Sequence, residues 1–369
     1  MGEPTVRHLG GRHGAPLCVV AHAARNGLGA SAYQTWAFRR ADLTAFRATP
    51  FRCENGQCAT MAQVRSLEPR AQGTARLSAL LGRLVQDLKA PLGGLGAGAR
   101  VALALALPER LSGKERAARQ ALAELEHAGT DALGSLGLAP LFHPIARGHA
   151  GFAFALLETH AALAKGAVDA AVVGGLDTGY DADVVEARIV GKTLFDGENP
   201  RGVIAGEGGA LLLLLRRDVA RSLRWPVHGT IESIAVGREP ATAGSEVGCL
   251  GLGLSRPARA IADRLVEEGR QIDWWLTDLT PEPLRVQELQ LAWPRVAAGA
   301  MPPEARFELL YEHLGDLGAA AMPTGVTLAI EGFRRGDPAG QCCVVTGSSD
   351  GGDRGVVLVA VEPGRSPIH

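Results

Sequence analysis

The chain has 369 residues, room for two or three ordinary domains or one large two-lobed fold, and with 46% hydrophobic and 21% charged residues it cannot be globally disordered. Its 38 basic and 39 acidic side chains leave a net charge of −1, so there is no cationic surplus for nucleic acid. Glycine is abundant at 48 residues and aromatics are scarce at 5%, which favours a layered α/β protein whose backbones approach closely.

Residues 1–15 are polar and rich in Gly and His, and are expected to form a flexible N-terminus. They hold no apolar core of signal-peptide length, and the longest apolar run, 208–215, falls far short of the roughly 20 residues of a membrane span. A soluble cytoplasmic protein with no membrane partner is expected. Residues 17–21 read as a strand, and Ser31 as the cap of a helix through Arg40. Residues 51–66 read as a loop carrying Cys53 and Cys58. These form a C-x4-C pair with no second ligand pair, so no metal or other cofactor is expected. Leucines at 77, 80, 81, 84 and 88 have helical spacing, and 101–107 suits a buried parallel strand. Residues 114–127 form a charged amphipathic helix.

The segment 150–164 (AGFAFALLETHAALA) is apolar nearly all round and reads as a buried helix ended by Gly166. A strand then runs to Gly174–Gly175. Residues 183–190 are a second helix, and 210–215 a second buried strand. The glycine-rich stretches GEGG and GLGLS lack the strand-then-helix setting of a dinucleotide site and read as turns. Beyond a dividing turn near Trp225 come a strand at 230–236, a helix at 256–268 and a strand at 274–279. Pro281, Pro283, Pro294, Pro302 and Pro303 are expected to break the region that follows. A short helix at 304–312 comes next, then a small-residue helix at 318–334 interrupted by Pro323. Residues 342–346 and 355–361, joined by GSSDGGDRG, read as a β-hairpin.

Several of these blocks together resemble the β-ketoacyl synthases of the thiolase superfamily. GHAGFAFALLETHAALAKGAVDAAVVGGLDT is similar to the family's nucleophile helix and following strand, and NPRGVIAGEGGALLLLLRR to its next block, with Glu207 at the acidic position. HLGDLGAAA resembles a block that usually reads Gly-His-x-x-Gly-Ala-Ala, and VVTGSSDGGDRGVVLVA the closing hairpin. The resemblance implies a five-layer α/β/α/β/α fold of two pseudo-symmetric lobes, 16–225 and 226–363, with a tail at 364–369. It also implies a homodimer, or a heterodimer with a related synthase subunit, and an acyl carrier protein as partner.

Active members use a cysteine and two histidines. The resemblance places His149 at the cysteine position, and Asp278 and Gly315 at the histidine positions; no cysteine lies between Cys58 and Cys249. It places Phe152, Gly351 and Gly352 on the substrate side. An imidazole is a poor substitute for a thiolate in thioester exchange, so condensing activity is expected to be lost. The protein would then be a scaffold, partner subunit or adaptor. Similar degenerate stand-alone proteins occur beside bacterial type VI secretion effectors, which makes a secreted effector a further implied partner. The alternative is an acyltransferase or thioester hydrolase using His149 as nucleophile or general base. Other nucleophiles open to consideration are Ser348, Ser349 and Cys249. Asp278 with Glu282 reads as a pair of solvated loop carboxylates, and His160 as a satisfied buried histidine.

Overall fold

The computed structural model describes residues 3–9, 15–337 and 340–361; the expected tail at 364–369 lies outside the described residues. The first half contains β1 (Thr5–His8), β2 (Leu17–Asn26), α1 (Ala32–Arg40), β3 (Arg47–Arg52), β4 (Cys58–Ala62), α2 (Gly73–Asp87) and α3 (Lys89–Gly93). It continues with β5 (Arg100–Ala106), α4 (Arg116–Gly134), β6 (Ala139–Ile145), α5 (Gly151–Ala164), β7 (Ala170–Thr178), α6 (Ala182–Val190), β8 (Ala205–Arg216) and α7 (Arg217–Ser222). The second half contains β9 (Gly229–Arg238), α8 (Leu252–Glu267), β10 (Trp274–Thr277), α9 (Pro283–Ala297), β11 (Arg306–Leu309) and α10 (Tyr311–Leu314). It ends with α11 (Ala321–Arg334), β12 (Cys342–Ser348) and β13 (Asp353–Ala360).

Both halves build the same five-stranded sheet. From the outer edge inward, the first reads β6-β5-β7-β8-β2 and the second β11-β10-β12-β13-β9. Counted in chain order within each half, both are 3-2-4-5-1. In each, the second, third and fourth strands run parallel, while the fifth is antiparallel to both its neighbours. The halves join where β2 pairs with β9, from Leu17↔Ile231 to Val19↔Gly229.

Period-two alternation along the strands sorts side chains into layers. Ala102, Ala104, Val173, Leu212 and Leu214 face a central core shared with α5, α11 and the second sheet's Ile234, Val345, Val357 and Val359. Val101, Leu103, Leu105, Val172 and Leu213 face outward onto α2 and α4. Val344, Val356 and Leu358 face outward onto α8 and α9. The order helix, sheet, helix, sheet, helix is the five-layer α/β fold. Each fully buried Leu or Phe in these layers contributes about 1.5–3 kcal/mol relative to exposure. Two buried helices between sheets leave little space for large rings, which accounts for the small-residue composition.

Local expectations are corrected in several places. Residues 5–8 are not frayed: β1 pairs antiparallel with β9, Thr5 opposite Val236. Residues 51–66 are not simply loop, because β3 and β4 form a hairpin whose second strand joins β8. GEGG is no turn but the start of β8, where Gly206 and Gly208 lie against neighbouring backbone and Gly209 against leucine side chains. GLGLS is no turn either: Gly251, at φ +64, caps α8, which begins at Leu252. The prolines after β10 do not prevent a helix. Pro283 sits at the first position of α9, where no N–H is needed, and Pro294 lies near the far end. Residues 304–312 hold β11 and then α10 in place of one helix. Pro323 falls in the first turn of α11 and interrupts nothing.

Candidate functional site

His149 lies in a short 3₁₀ turn, Gly148–Ala150, that feeds α5. Gly148 takes φ +58, and a Cβ there would meet Glu109 Cγ at 2.9 Å, so this entry requires glycine. The imidazole is buried, with its side chain 8% exposed. Both ring nitrogens are engaged: Nε2 lies 2.8 Å from Asp316 Oδ1 and Nδ1 lies 3.3 Å from Arg285 Nη2. A guanidinium can only donate, so the neutral ring accepts at Nδ1 and donates from Nε2 to Asp316.

Asp316 follows Gly315 in the link between α10 and α11. Its Oδ1 also accepts from Gly318 N (3.0 Å), and its Oδ2 accepts from Arg188 Nη2 on α6 (2.6 Å). Burial opposes its ionisation, yet His149, Arg188 and Arg285 outweigh that and hold the carboxyl well below the usual range. Burial and Arg285 likewise oppose a proton on His149, but Asp316, helped by Asp278, raises its pKa above that of an ordinary histidine. Arg285, near the start of α9, is fully enclosed by carboxylates. Its Nη2 donates to Asp350 (2.8 Å), its Nη1 lies 3.4 Å from Asp278 Oδ2, and its Nε lies 3.2 Å from Glu282. Its pKa is raised despite burial because Asp350, Asp278 and Glu282 surround it.

The expected residues are thus only partly together. Asp278 is buried and is no solvated loop charge. It meets Arg285 and accepts from Ser348 N (2.8 Å), so it reaches His149 only through the guanidinium. Gly315 brings no functional group. Its φ is +65, and a Cβ added there would stand 2.7 Å from Ile204 O, so the position requires glycine. The next residue, Asp316, supplies the contact. Phe152 is fully buried in the central core and does not line the cavity beside His149. Gly351 N donates to Glu109 Oε1 (3.0 Å), and Gly352, at φ +98, approaches Glu239 O; both shape the β12–β13 turn.

Of the other nucleophiles, Ser349 is engaged at its hydroxyl. Its Oγ accepts from Ala150 N (2.8 Å) and donates to Arg147 O (2.5 Å). Cys249 is buried, and burial pushes its thiol up, with Glu239 and Glu288 acting in the same direction. The cavity beside His149 has a volume of about 180 Å³ and is lined by Glu109, Arg110, Asp177, Arg188 and Asp316 among others. Burial also raises the Glu109 carboxyl. Among the described residues no group of three or more His, Cys, Asp or Glu is arranged to hold a metal ion.

Sequence reasoning does not find Arg188, Arg285 or Asp316. Asp316 lies one position from Gly315, which the family resemblance singles out. Arg188 and Arg285 carry no local signal, because each arrives on a different helix.

No protein-family model matches the chain, and no curated protein matches it. Solved structures do. A type II PKS acyl-carrier protein in complex with its ketosynthase bound to the hexaketide (AntDE:AntF) matches with a TM-score of 0.75 at 13% identity, over 94% of this chain and 100% of that one. The ishigamide ketosynthase/chain length factor matches with a TM-score of 0.71 at 17% identity, over 94% and 99%. The ketosynthase from module 6 of the bacillaene synthase from Bacillus subtilis 168 matches with a TM-score of 0.68 at 14% identity, over 94% and 72%. At such identities the likeness establishes architecture: this chain has the thiolase-like fold of ketosynthases and chain length factors.

Proposed function

We propose that the chain is a ketosynthase-fold protein that does not condense acyl units and acts by binding a protein partner. One observation carries this reading: the residue at the start of the central helix is His149, with both ring nitrogens held by buried charged groups. A nucleophile or general base needs a free lone pair directed at substrate. Here Nδ1 faces a guanidinium, and Nε2 is held by a carboxylate that is itself paired with Arg188. The Ala150 amide, a potential oxyanion donor at the helix start, is occupied by Ser349. The adjacent cavity is lined by charged groups, which an acyl chain would desolvate without compensation.

The test uses the purified protein with acyl-carrier-protein and acyl-CoA thioesters, read by intact mass and by thiol release. The expected outcome is neither acylation nor thioester loss above the buffer rate. Turnover that disappears in His149→Ala would overturn the reading in favour of an acyltransferase or hydrolase. The partner is sought by co-expression with a related synthase subunit and with a secreted effector, the two classes that the resemblance implies. A stable complex with either supports the binding role.

A further inference from the structure

A second cavity, of about 390 Å³, lies between the loop joining β2 to α1 and the segments 43–47 and 64–66. Small-molecule clefts generally fall between about 300 and 1,000 Å³. Its charge sets it apart. The cavity beside His149 and three others in the molecule each have at least one Asp or Glu in their walls. This one is lined by Arg25, Arg47 and Arg65 and by no carboxylate.

The donors in its wall are open. Arg25 is held by Asp87, through Nε at 2.6 Å and Nη2 at 2.7 Å. Arg47 and Arg65 have no ion-pair partner among the described residues. Gln34 Oε1 accepts from Ala30 N (3.0 Å); a backbone N–H can only donate, so the two amide hydrogens of Gln34 are its unused end. The loop that carries this wall is fixed from within. Buried Asn26 accepts at Oδ1 from Leu28 N and Gly29 N (both 3.0 Å) and donates from Nδ2 to Thr35 Oγ1 (3.0 Å). Beside the arginines, Phe38 and Leu43 are 39% and 49% exposed and give the cavity an apolar flank.

We propose that this cavity binds a small organic anion, with a carboxylate or phosphate head on a short apolar body. Arg47, Arg65 and the Gln34 amide take the head, because guanidinium forks match the oxygens of both groups. The body covers Phe38 and Leu43, which an inorganic ion would leave in water. An organic cation finds no carboxylate here and meets only like charge. The cavity shares no lining residue with the one beside His149, so the proposal stands apart from the catalytic reading.

The test titrates the full chain with phenyl phosphate, hexanoate, inorganic phosphate and hexylamine, by calorimetry and by amide NMR, with thermal melting as the control for folding. Saturable binding is expected for at least one of the two organic anions, weaker binding for inorganic phosphate and none for hexylamine. Arg47→Gln/Arg65→Gln is expected to weaken the organic anion by about tenfold, two exposed ion pairs being lost. Phe38→Ala is expected to narrow its advantage over inorganic phosphate. The proposal is overturned if neither organic anion saturates, if hexylamine or inorganic phosphate binds as tightly, or if the folded double variant keeps the parent's affinity. If the double variant does not fold, the parent decides the matter: a ligand-induced shift of the Gln34 side-chain amide supports the site, and shifts confined to other regions overturn it.

Discussion

His149, Arg285 and Asp316 form a buried chain of charge in which each group is satisfied by the next. Breaking such a network at one member leaves the others uncompensated, typically at about 3–5 kcal/mol. Arg285 is the member with the most partners, so Arg285→Met is expected to destabilise the fold by roughly that amount, measured by denaturant unfolding at neutral pH. His149→Ala removes one partner from both Asp316 and Arg285 and is expected to destabilise while leaving thioester turnover at background.

A second buried charge gives a pH signature. Burial opposes ionisation of Glu331, but His22, Arg335 and Arg334 outweigh it and lower its pKa from 4.5 to about 2. The unfolded chain therefore binds more protons than the folded chain between those values, and the contribution of Glu331 to stability falls as pH drops through that window. Above pH 5 the contribution is about 3 kcal/mol, from about 1.4 kcal/mol per unit. Glu331→Gln is expected to lose that stability at pH 7 and to approach the parent by pH 2–3. A gap between the two unfolding free energies that does not narrow with acid would contradict it.

At the scale of elements, the signals legible in the sequence are those that act locally. Ser31 caps α1 through Gln34 N (3.1 Å), as its position before the helix implies. Ser31→Ala is expected to cost about 1 kcal/mol in thermal or chemical unfolding. The leucine spacing of α2 and the all-apolar α5 are equally plain, because helical periodicity and burial are written into consecutive residues. The glycine pair 174–175 is legible only as a strand end. In the fold β7 continues to Thr178, and each glycine lies against a backbone carbonyl: Ala210 O of the neighbouring β8 at Gly174, and Ala319 O at Gly175. Gly175→Ala is therefore expected to destabilise by about 1–3 kcal/mol, the cost of overpacking, because the obstructing atom is a carbonyl and not a movable side chain. A small effect on the melting temperature would show that the turn at Gly318–Ala320 can shift.

For the whole molecule, the repeated 3-2-4-5-1 sheet puts two small-residue helices back to back at the centre, and the charged site at the start of one of them. The halves share almost no sequence, so the repeat is visible there only as a similar order of helix, strand, turn and strand.

The chain's own residues determined the layered α/β class, the buried helix after His149, the closing hairpin and the absence of a thiol at the helix start. Each follows from local composition, periodicity or identity, which do not depend on what lies nearby in space. Tertiary structure alone decided that Asp316, and not Gly315, meets the imidazole, and that Arg188 and Arg285 complete the network. It also decided that residues 5–8 pair with a strand more than two hundred positions away. Those contacts join segments remote in sequence, and their geometry is fixed by how the two sheets stack on the central helices.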